Sequence, residues 1–238
     1  MFYKKKIGNG ALCIIISFIL ISVSGTIARA DVAPADVIDA AKEGLKLFKQ
    51  DSFNLQFCSP EEWKSIRLGS GFEMLTISAD QLLGPDKAHL NPESVGEMES
   101  REKRFHQLAK PALQWRFFVR AGDRAVALIY VGWTGNAWKC TGIGSAGIAG
   151  EMSEILRTYP ESDGYTHRFI RIYEAKSDFV CLSRHQNRKD VPGYLPLLSA
   201  RIALDINHGD ETGKQLIYED EFINPLRSIV RKASGRSQ

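Results

Sequence analysis

The sequence predicts an α+β fold: an antiparallel sheet of about six strands in meander order, with helices packed mainly on one face. Three observations predict it. Residues 113–141 hold three strand-like segments joined by turns so short that neighbouring strands must run antiparallel. A second run of strand-like segments opens at Tyr165, so the order β-β-β-α occurs twice, from Leu113 and from Tyr165. Segments with a helical apolar period stand before, between and after these runs.

The chain opens with Lys4, Lys5 and Lys6, then an apolar run over residues 11–23, then Ala28-Arg29-Ala30 with small residues at the two positions a signal peptidase reads. A spanning helix needs about 20 apolar residues, and this run is shorter. Residues 1–30 are therefore expected to be a cleaved signal peptide. Residues 31–238 are expected to be a single domain exported by the general secretory route, periplasmic or secreted, with no stable membrane span after cleavage. Within it, residues 31–110 read as a helical and loop portion and residues 111–238 as a sheet core with two helices. The formal charge of +3 belongs to the precursor: without the four cations of residues 1–30, 27 Lys+Arg face 28 Asp+Glu. That balance excludes nucleic acid as the expected partner.

In chain order, Val37, Ile38, Ala41, Leu45 and Phe48 recur at helical spacing behind Pro34, which predicts an amphipathic helix. Ser59-Pro60-Glu61-Glu62 and Ser78-Ala79-Asp80-Gln81 each carry a capping-box pattern for a short helix, with FEMLTI between them apolar on both faces. Residues 85–110 are poorly patterned, with the charged run ESREKR, and read as a surface or binding loop or as a helix around 101–108. Leu113, Trp115, Phe117 and Val119 alternate with Gln114, Arg116, Phe118 and Arg120, the period of a half-buried strand. Residues 125–133 are apolar on both faces, as in a central strand, and a short strand over 137–141 follows. Ile148, Met152, Ile155, Leu156 and Tyr159 form one helical stripe that Pro160 stops. Residues 165–174 and 179–184 make a hairpin. Residues 195–206 alternate as a further strand, QLIYEDEF reads as another, and Asn224-Pro225 reads as the start of the last helix.

Among chemical motifs, Gly142-Ile143-Gly144-Ser145-Ala146-Gly147 matches G-x-G-x-x-G. That fingerprint belongs in a parallel βαβ unit with an acidic residue about 20 positions on, and neither is present. It reads instead as a flexible strand-to-helix joint with Ser145 as a cap, so no cofactor is implied. Ile143 spoils a nucleophile elbow around Ser145. Cys58, Cys140 and Cys181 remain after the signal; Cys140 and Cys181 could be neighbours across the sheet, and all pairings stay open. Cys58, just ahead of a capped helix, is the candidate nucleophile, with His106, His167, His185 or His208 as its base. The histidines show no metal-ligand spacing, so no metal is expected. Candidate binding residues are the aromatics Trp115, Trp133 and Trp138 on the sheet and Arg184, His185, Arg188 and Lys189 in a basic loop. The composite expectation is an exported, non-catalytic binding module of the bacterial-type cell envelope or secretome, taking a protein, peptide or envelope component. The alternatives are a cysteine-dependent or other metal-independent hydrolase and a small-ligand carrier.

Overall fold

The computed structural model of the chain describes residues 33–50, 59–84, 104–184, 191–206 and 215–236. It is an α+β structure built on one open seven-stranded sheet. The expected helix forms as α1 (Ala35–Gln50), burying Val37, Ala40, Ala41, Gly44 and Phe48 along one stripe. α2 (Pro60–Lys64) starts from a complete capping box on Ser59. β1 (Arg67–Thr76) follows, then α3 (Ala79–Leu83), capped in the same way by Ser78, and the single turn of α4 (Phe105–Leu108). β2 (Lys110–Ala121), β3 (Arg124–Trp133) and β4 (Trp138–Gly144) pair antiparallel in sequence order. After α5 (Ala146–Thr158), the strands β5 (Tyr165–Ile172), β6 (Ser177–Arg184) and β7 (Gly193–Pro196) form a second antiparallel set. α6 (Leu198–Ala203) and α7 (Glu219–Ala233) complete the described chain.

The strand order is β4-β3-β2-β1-β5-β6-β7. β1 is the seam: it pairs antiparallel with β2 on one side and parallel with β5 on the other. A Cβ added at Gly71 would lie 2.5 Å from the Phe117 ring, so this glycine lets β2 lay an aromatic ring against the seam strand.

Side-chain parity places the helices on both faces. Trp115, Phe117 and Val119 of β2 pack in one cluster with α1, whereas Phe118 packs with Ala149, Met152 and Ile155 of α5 on the opposite face. α3, α4 and α7 cover Ile170, Ile172, Phe179 and Cys181 of the second strand set. Leu75 of β1 joins that cluster, and the pleat puts it on the same face as Gly71 and its partner Phe117. The expectation that helices pack mainly on one face thus misses α5. Ser145, at φ 55° and ψ 49°, turns the chain at the end of β4, and α5 returns across β3.

Two further expectations change. The alternation over 195–206 is not one strand: β7 ends at Pro196 and α6 begins at Leu198. Its apolar residues fit the helical period instead, with Leu197 and Ala200 inward and Leu198 and Ile202 outward. QLIYEDEF contributes one bridge, Ile217 to Tyr194, after which α7 starts at Glu219 and carries Pro225 inside it. The acidic run Glu219–Glu221 fills its first turn, where the helix dipole favours negative charge.

Candidate functional site

Cys140 lies on β4 and Cys181 on β6, five strand steps apart, which is about 24 Å at ~4.8 Å per step. Both are free thiols, so the open question of their pairing closes against a disulfide. Cys181 is buried opposite Tyr194, and burial pushes its thiol up to about 12, leaving it protonated at neutral pH. His106 reaches this pair, with Nδ1 3.1 Å from the Tyr194 hydroxyl. His167 lies elsewhere, on β5: its Nε2 donates to the Tyr159 carbonyl at 2.7 Å, and its Nδ1 is buried without a partner. Burial holds both imidazoles below the usual histidine range. Neither faces a reactive nucleophile among the described residues. Cys58, His185, Arg188, Lys189 and His208 lie outside the described residues.

The tryptophans divide. Trp115 is core, packed under α1, while Trp133 at the β3–β4 hairpin is 42% exposed and meets Trp138 edge-on at 5.6 Å. Arg184 donates to the Asp163 carbonyl and lies over the Tyr165 ring. In the glycine motif, Ser145 makes no cap with its side chain; its hydroxyl is bonded by Tyr130 instead. A surface groove of about 540 Å³ between α5 and the β2–β3 turn is lined by Arg120, Arg124, Ser153, Glu154 and Arg157. Two of its arginines are in ion pairs, Arg124 with Glu62 and Arg157 with Glu154, and Arg120 donates to the Asp123 carbonyl. Among the described residues no three of His, Cys, Asp and Glu gather as a metal ion would require, and no helix is long and apolar enough to cross a membrane.

The concentration of chemistry that the sequence did not reveal lies on the α5 face of the sheet. Arg116, in β2 between Phe72 of β1 and Tyr130 of β3, is only 8% exposed. Its guanidinium carbon sits 5.0 Å from the Tyr130 ring centre and 5.1 Å from that of Phe169, a cationic group held between aromatic faces. Its Nη1 is buried and makes no hydrogen bond. Arg171 of β5 stands opposite Asp178 of β6 in register, with Nη1 3.3 Å from both carboxylate oxygens. The Arg171 Nε is also buried and unpartnered.

Asp178 is 1% exposed and accepts a hydrogen bond from Ser199 of α6 at 3.0 Å. Burial raises its carboxyl above the ordinary range; Arg171, then Ser199 and Arg116, pull it back. Burial likewise lowers the Arg116 guanidinium. Beside them Glu151 of α5 accepts from the Leu198 amide and pairs with Arg201 at 3.0 Å, tying α5 to α6. The result is one carboxylate paired with Arg171, a second guanidinium, Arg116, whose charge also acts on it, and an already matched Glu151–Arg201 pair beside them. Tyr173 packs under the Arg171 guanidinium at 5.3 Å and reaches Gln114 across the sheet. Such a cluster can hold and orient a charged group.

In comparisons with protein-family models, curated proteins and solved structures, none matched the chain.

Proposed function

We propose that this chain is an exported, non-catalytic binding module of the bacterial-type cell envelope or secretome. It engages a protein, peptide or envelope component on the face of the sheet that α5 and α6 border. One observation carries the reading: large apolar side chains stand exposed around the buried arginine cluster. Tyr173, stacked on Arg171, is 48% exposed. α6, which reaches the cluster through Ser199, leaves Leu198 at 55% and Ile202 at 71%. Apolar groups around fixed charges are the composition of a recognition surface. Export rests on Lys4, Lys5 and Lys6, the apolar run behind them and the Ala28-Arg29-Ala30 site.

The test is site-directed photocrosslinking in an exporting host. A photoreactive residue is placed at Tyr173 or Ile202, at Trp133, and at the exposed Lys42 of α1. A discrete adduct from positions 173 and 202, with none from 42, is expected. Adducts from 133 alone would move the site to the tryptophan hairpin, and silence at every position would sink the reading.

A further inference from the structure

We propose that Arg116 and Arg171 form an anion site that takes a carboxylate group, with Asp178 as its fixed counter-charge. The inference deepens the binding reading above by naming the chemistry of the ligand. Arg116 is more than nine-tenths buried, yet its Nη1 has no acceptor, and Arg171 leaves Nε in the same state. A guanidinium keeps its charge in any protein environment, so a buried N–H without an acceptor forfeits the strong charge-assisted bond it is built to make. Arg116 lies on the ring of Phe169, two residues before Arg171 on the same face of β5, and Arg171 in turn stands 3.3 Å from Asp178. Around them stand Phe72 on β1, Tyr130 on β3, Phe169 and Tyr173 around β5, Ser199 on α6, and the Glu151–Arg201 pair between α5 and α6.

Charge selects the ligand class. Two guanidiniums against Asp178 leave one surplus positive charge, which a monoanion neutralises. A phosphate dianion would leave an excess negative charge beside a buried carboxylate whose ionised form burial already disfavours. Shape agrees, because the planar guanidinium fork matches the two oxygens of a carboxylate. Arg171 has 26% of its side chain exposed and packs on the half-exposed Tyr173, and the rings around the two guanidiniums suit an acid attached to an apolar or aromatic body.

The measurement is an NMR titration of the intact chain carrying ¹⁵N-labelled arginine, with Arg116→Lys and Arg171→Lys assigning the two Nε–H signals. Sodium acetate, sodium chloride and sodium phosphate are added at matched ionic strength. Acetate should move both signals saturably, with a midpoint on the order of 1–10 mM because four heavy atoms carry little affinity. Chloride should give only a small linear drift. Arg171→Gln should weaken the acetate response at least about tenfold, a loss of ~1.4 kcal/mol, while Arg120→Gln in the surface groove should leave it unchanged. Acetate that behaves like chloride would overturn the proposal, as would a saturable response that survives Arg171→Gln. Phosphate saturating the same signals more tightly than acetate would overturn the ligand class. A peptide with a free carboxyl end and its C-terminal amide locate the source: response to the acid alone points to a chain end, and response to acetate alone to a small acid, and either supports the site. Crosslinking at 173 with no acetate response would leave the binding reading standing and remove this one.

Discussion

At the residue scale, buried polar groups set how the protein responds to pH. His167 shows the cause plainly. A carbonyl can only accept, so Nε2 must carry the proton that bonds Tyr159, and protonating Nδ1 as well would bury an N–H with no acceptor. Burial holds the folded pKa values of His167 and His106 below the ordinary 6.5. The unfolded chain therefore binds more protons in that window, and stability rises with pH. The contribution is complete above the unfolded value and is lost as pH falls through the folded ones. Thermal midpoints should thus drop between about pH 7 and pH 5. His167→Gln, which keeps a donor for the Tyr159 carbonyl, should show a shallower drop; an equal slope in both proteins would refute this account. Arg116 illustrates what sequence conceals at this scale. It alternates with Trp115 and Phe117 and so reads as solvent-facing, and only the apolar Phe118 on the same side hints that this face is covered. Two of the groups around its guanidinium, Phe169 and Asp178, lie more than fifty residues onward.

At the scale of elements, the helix–sheet contact under α1 is set by its one interior glycine. A Cβ at Gly44 would stand 2.7 Å from the Cys140 sulfur and 2.9 Å from Ile129 Cγ2. Alanine would improve helix propensity by about 1 kcal/mol, but overpacking against β3 and β4 costs ~1–3 kcal/mol. Gly44→Ala should therefore lower the urea midpoint at unchanged slope, and a gain in stability would show that α1 is not seated as described. α1 and α5 were legible from their 3.6-residue stripes, and α2 and α3 from their capping boxes, because each of these signals is local in the chain. β1 was not legible as a seam strand, since Gly69 and Gly71 interrupt its pattern and its apolar residues fall on both faces. The last helix was read from Pro225, a good first-turn residue in isolation. The true start at Glu219 had its own signal in the acidic run, hidden behind the strand-like QLIY.

At the scale of the molecule, two antiparallel strand sets become one sheet through β1. Met74 sits at that seam, fully buried, in one cluster with Phe118 and Leu128 of the first set and Phe169, Val180 and Leu182 of the second. Met74→Ala should cost about 2–5 kcal/mol and raise hydrogen exchange in β2–β3 and in β5–β6 together. Faster exchange confined to one set would mean that the halves unfold independently. The sequence alone determined the α+β class, the turns between β2, β3 and β4, the capped helix starts and the periods of α1 and α5. These depend on backbone hydrogen bonds and side-chain parity within about ten residues. Only the tertiary structure decided that β1 pairs with β5, that α5 crosses the opposite face from α1, and that Arg116, Arg171 and Asp178 meet. Those outcomes rest on contacts such as that of Thr76 with the Arg171 carbonyl, 95 residues apart, where burial of a whole face selects the partner and no local period records the choice.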